Sequence, residues 1–158
     1  MSPRLRSWIE AKVEGWLGLQ INREKTRAMN LQSTGQSLDF LGYTFRLDRD
    51  RLGRKGRYWN LHPSRKAMER ERQALRRLIS PKQCCVPLPE LIESLNRHLR
   101  GWANYFGQGY PRKAFRQINQ LVRERLEHHL HRRSQRGWRM RHGVSVHAHL
   151  KHLGLIAL

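Results

Sequence analysis

Between Arg65 and Arg132 the apolar residues recur at steps of three and four through three successive segments, a period that belongs to helices packed side against side. Strands are excluded there. The first segment, Arg65 to Ile79, puts Ala67, Met68, Ala74, Leu75, Leu78 and Ile79 on one stripe, with Ser64 placed to cap its start and Pro81 to limit its end. The second opens at Pro89, carries Leu91, Ile92, Leu95, Leu99, Trp102, Ala103 and Phe106, and breaks at "GQGYP". A third, Arg112 to Arg132, buries Ala114, Phe115, Ile118, Leu121, Val122, Leu126 and Leu130, leaving Arg, Gln and His outside. Ser145 caps a short last helix that ends at Gly154.

Upstream of Pro63 the pattern is mixed. Leu5, Trp8, Ile9, Val13, Trp16 and Leu17 predict one helix from Arg4 to Leu19 with a buried face, stopped by Gly18. Segments around Thr26–Leu31 and Leu38–Leu47 are β-compatible and separated by the turn-rich "QSTGQS", which predicts an antiparallel pair. The glycines of "RDRLGRKGRYWNLHP" add a further hairpin or exposed loop ending at Pro63. The expected class is therefore α+β: a small antiparallel hairpin lobe with an N-terminal helix over residues 1–62, then an all-α lobe over 63–158.

Thirty-two Lys and Arg against 12 Asp and Glu give a net charge of +20, a field that calls for a polyanion. A membrane is the weaker choice, because the longest apolar runs, such as "LGLIAL", are far shorter than the ~20 residues a bilayer crossing takes. The amino end carries charges every few residues and lacks the apolar core of a signal peptide, so a cytoplasmic, non-secreted chain is the expectation. Cys84 and Cys85 are adjacent, suit neither a relaxed disulfide nor a closed zinc site, and read as reduced thiols in a loop.

Nucleic acid is the partner that fits best. Arg65, Lys66, Arg70, Arg72, Arg76 and Arg77 lie off the apolar stripe of their helix and form a stiff cationic ridge for phosphates. Arg97, Arg100, Arg112, Lys113 and Arg116 extend it. Of the interleaved aromatics, Trp102 and Phe106 belong to the core, while Tyr105, Tyr110 and Trp138 are placed to stack on unpaired bases. The histidines of "EHHLHRR" and "HAHLKH" match no closed ligand set, and the few acids form no metal-ready pair, so neither a metal nor a catalytic residue is assigned.

Three segments, in this order, resemble the C-terminal part of a group II intron reverse transcriptase/maturase: "WLGLQINREKT", "LDFLGYTF" and "LNRHLRGWANYFGQGYPRKAFRQINQLVRERL". They are similar to the segment after the polymerase active site, to the primer-grip hairpin, and to the maturase-specific helices. The resemblance implies that residues 1–62 are the end of the palm and that the remainder is thumb and maturase domain. Phe40, Leu41, Gly42 and Tyr43 would then form the primer grip, with Lys25 near the incoming nucleotide.

The family's Tyr-Ala-Asp-Asp-like motif has no counterpart here, so the chain alone is expected not to polymerise; Mg²⁺ belongs to that missing catalytic part. The implied function is binding of structured intron RNA, or of an RNA/DNA template-primer, in splicing and reverse transcription. Two alternatives stay open: a subunit of a split reverse transcriptase completed by another chain, or an interaction remnant that self-associates.

Overall fold

The structure, a computed structural model, describes residues 3–26, 29–33, 35–50, 56–133 and 143–158. Along the chain come α1 (Pro3–Gly15), β1 (Ser37–Phe40), β2 (Tyr43–Arg49), β3 (Arg57–Pro63), α2 (Arg65–Leu78), a 3₁₀ turn (Pro81–Gln83), α3 (Leu88–Phe106), α4 (Arg112–Arg132) and α5 (Val146–His152). The strands form one antiparallel sheet in the order β1-β2-β3, and the fold is α+β as expected. Two compact units result: residues 1–38 with 46–59, and residues 39–45 with 60–158.

The helical unit follows the apolar stripes closely. Leu75, Leu95, Leu99, Ile118, Leu126 and Leu150 are fully buried, joined by Met68, Ile79, Leu91, Ala114, Val122 and Leu130 in one core. Each such side chain, moved out of water, contributes about 1.5–3 kcal/mol, and this shared core is what holds α2 to α5 together. Ser64 caps α2 by accepting a hydrogen bond from the Ala67 N–H at 3.2 Å, and Ser145 caps α5 through Ala148 at 3.1 Å. Arg125, on α4, donates to the Ile79 carbonyl at 3.1 Å, closing the end of α2.

Residues 153–158 are held by two side-chain amides that imitate a strand partner. Asn96 of α3 donates to the Gly154 carbonyl at 2.8 Å and accepts from the Ile156 N–H at 3.0 Å. Asn119 of α4 does the same with Leu158 alone, donating to its carbonyl at 2.9 Å and accepting from its N–H at 3.0 Å. Leu155, Ile156 and Leu158 consequently pack against the core while their backbone stays hydrogen-bonded.

Several expectations need correcting. α1 stops at Gly15 rather than Gly18, and its apolar side is not buried: Leu5, Trp8 and Ile9 are exposed, as are Trp16 and Leu17 beyond it, Trp16 at 80%. Spacing marks a face, but only a packed neighbour covers it. Thr26 and residues 29–31 form no strand, and positions 27 and 28 lie outside the described residues. The run Leu38–Leu47 is not one strand either; it folds back at Leu41-Gly42 and supplies both arms of the hairpin. On α4, His129 is buried at 3% exposure. The cysteines are free, Cys84 half-buried and Cys85 exposed.

Candidate nucleic-acid interface

A two-residue hairpin requires positive φ at its central positions, because only such turns match the twist of the flanking strands. Leu41 has φ 48° and Gly42 φ 81°. For leucine that conformation is strained, by an amount on the order of 1–2 kcal/mol, and the side chain is left 68% exposed. Strain of this kind persists only where neighbours fix the backbone. Here they do: the Leu41 carbonyl accepts from the Tyr105 hydroxyl at 2.8 Å, and the Gly42 carbonyl accepts from the Ser64 N–H at 2.7 Å.

Space at Gly42 is tight as well. A Cβ there would stand 3.3 Å from the Phe106 ring and 3.8 Å from the Ala67 Cβ. Next in sequence, Tyr43 donates its hydroxyl to the Tyr105 carbonyl and lies 5.8 Å from the Tyr105 ring and 5.1 Å from Phe106. Burial, above all, lifts its phenol above the ordinary value. Trp102 continues the aromatic row, 5.0 Å from Phe106 and 5.7 Å from Phe115. The hairpin tip is thereby locked onto the end of α3 and the start of α2. Across the hairpin, the Thr44 hydroxyl donates to the Asp39 carboxylate.

Beside this tip lies a groove of about 590 Å³. The Leu41-Gly42 turn and Tyr105 form one wall, Ala67 and Ala74 of α2 the floor, and Arg70 and Arg77 stand two turns apart on α2. Glu71 also lines it, turned toward α3. Both of its oxygens lie 3.0 Å from Nε2 of His98 on α3, and burial raises its pKa despite that partner.

The other expected site residues fall into groups. Arg65, Lys66, Arg70, Arg77, Arg100, Arg112, Lys113 and Arg116 are exposed and form no ion pair among the described residues, so their charge faces outward. Arg72 and Arg76 instead share Glu69 at 3.6 and 3.7 Å, and Arg97 pairs with Glu93 at 3.2 Å. Tyr105 is half spent on holding Leu41, while 51% of it stays accessible; Tyr110 is exposed, its N–H bonded to the Leu61 carbonyl at 2.8 Å. Gly109 makes that bond possible, since a Cβ there would sit 2.5 Å from the Leu61 carbonyl oxygen.

Phe40 is exposed on β1. Lys25 lies in the other unit, exposed in a turn whose N–H groups at Lys25 and Thr26 bond back to Asn22. Trp138 lies outside the described residues. No group of three or more metal-ligating side chains occurs among the described residues, and no described helix is long and apolar enough to cross a membrane.

Sequence reasoning passed over Glu71, Asn96 and Asn119. The signal was available for the first two: each is a polar residue at a position that the helical period sends inward, next to Met68 and Leu75, or to Leu95 and Leu99. Nothing comparable marks the chain end that the asparagines hold.

The described residues thus define an α+β chain whose helical unit carries exposed cations beside a groove. Residues 68–145 match the family described as Group II intron, maturase-specific domain, which supports the C-terminal region of a group II intron maturase as the relative of this segment. The match opens at Met68 in α2 and closes at Ser145, the cap of α5. No curated protein matches the chain.

Proposed function

We propose that this chain binds structured intron RNA, or an RNA/DNA template-primer, as the thumb and maturase part of a group II intron reverse transcriptase, and that it assists splicing and reverse transcription without chemistry of its own. One observation carries the reading: the segment similar to a maturase-specific domain also bears Arg70, Arg77, Arg100, Arg112, Lys113 and Arg116, exposed cations that form no ion pair among the described residues. Phosphates would lie along that ridge, and unpaired bases would meet the accessible faces of Tyr105 and Tyr110. The Leu41-Gly42 tip would act as the primer grip, its backbone stiffened by Tyr105 and Ser64 so that a strand end meets a fixed surface. Lys25 is assigned to the side of the incoming nucleotide on resemblance alone. Mg²⁺ would act on the catalytic part of such an enzyme, and no role for it is assigned to these residues. The cytoplasm, where intron RNA is met during splicing, is the proposed location.

Binding to a folded group II intron RNA and to random duplex DNA, measured across a salt series, tests the reading. Preference for the RNA with a steep salt slope is expected; equal binding to both would defeat the maturase half. A second reading is favoured by the uncovered Leu5, Trp8 and Ile9: another polypeptide packs there, and the chain is one subunit of a split reverse transcriptase. Sedimentation of the purified chain, alone and with candidate reverse transcriptase fragments, separates that complex from a monomer and from self-association.

A further inference from the structure

A second groove, of about 390 Å³, is formed by α4, α5 and the clamped residues 155–157, and it shares no lining residue with the groove at the hairpin tip. Arg116 and Arg123, two turns apart, line it from α4, and His147 and Lys151, one turn apart, from α5. Leu155 and Ile156 give it an apolar floor. None of these four basic side chains forms an ion pair among the described residues, and the acid on the same stretch of α4, Glu124, accepts from Gln120 at 2.9 Å. The floor is fixed, because Asn96 and Asn119 tie its backbone down on both sides.

Arg116 and Arg123 from α4 and Lys151 from α5, lining one groove with Leu155 and Ile156, offer charge to phosphates and an aliphatic surface to a base face. A duplex has no base face to offer such a surface. From this juxtaposition we infer that the α4–α5 groove is a separate binding site for single-stranded RNA, with Arg123 and Lys151 on phosphates and Leu155 and Ile156 beneath a base. The inference rests on the RNA-binding reading above but uses another groove, so one chain would hold two stretches of one RNA. Holding both raises the effective concentration of the second contact once the first is made.

The test uses the full chain and a short oligouridylate carrying 4-thiouridine, with fluorescence anisotropy across a salt series and photo-crosslinking. The double variant Arg123→Gln, Lys151→Gln should weaken binding severalfold at low salt and lower the salt slope by roughly 1.4, two contacts at about 0.7 each. Ala157→Glu, at the exposed edge of the floor, should weaken binding severalfold, and wild-type crosslinks should fall within residues 143–158. Unchanged affinity and slope in both variants, with crosslinks only around α2 and the hairpin, would overturn this site and leave the proposed function standing. A loss of binding seen only in the Arg70→Gln, Arg77→Gln double variant would overturn it as well. Failure of the wild-type chain to bind the oligonucleotide at low salt would instead remove both.

Discussion

α1 and α3 were written with the same alphabet, and they end in opposite environments. Both place large apolar side chains at three- and four-residue steps; in α3, Leu91, Ile92, Leu95 and Leu99 are at most 4% exposed, whereas in α1, Leu5, Trp8 and Ile9 are at least 40% exposed. The difference is the neighbour. α3 meets α2 and shares one core with α4, while the described residues provide no comparable cover for α1. Periodicity therefore reports that a face exists and which residues form it, and the energy of that face is realised only on contact.

Leu99→Ala should cost about 2–5 kcal/mol in denaturant unfolding, the span typical of a fully buried leucine, and Leu5→Ala less than about 0.5 kcal/mol. Equal costs would mean that α1 is covered after all. Gly42→Ala comes next, at about 1–3 kcal/mol, because it adds left-handed strain to a tight contact with the Phe106 ring. A neutral result would show that the hairpin tip is not seated on α2 and α3.

The pH dependence sharpens the comparison from the helical side. Burial, helped by Arg133 and Arg132, depresses the His129 pKa below its ordinary 6.5. Below about pH 6.5 the unfolded chain takes up a proton that the folded chain refuses, so stability should fall as pH falls through that range. His129→Gln should remove this part of the acid loss, seen as a flatter plot of stability against pH. Glu71 works with the opposite sign: its raised pKa makes the folded state the better proton binder above 4.5, so its contribution declines as pH rises from there. The two trends separate cleanly only in the His129 variant. The smallest effect expected is from Arg97→Gln, whose exposed pair with Glu93 should matter by less than about 1 kcal/mol.

Much of this was readable in advance, and for a common reason. The span of α4, the caps at Ser64 and Ser145, and the stripe residues of α2 and α3 depend on neighbours three or four positions away. Of the candidate interface, the ridge of arginines was legible because charge must lie opposite the stripe. Which of them stay unpaired was not: Arg72 and Arg76 turn to Glu69 while Arg70 and Arg77 do not, a matter of side-chain reach.

What the amino-acid sequence settled by itself is a basic chain of α+β type whose helices each own an apolar side. Tertiary structure alone decided that Tyr105 reaches back 64 residues to hold the Leu41-Gly42 turn, and that Asn96 and Asn119 capture residues 58 and 39 positions away. Such choices turn on which surfaces fit once distant segments meet. No local spacing encodes that fit, because a hydrogen bond across tens of residues becomes favourable only after packing has removed the water that would otherwise satisfy the same groups.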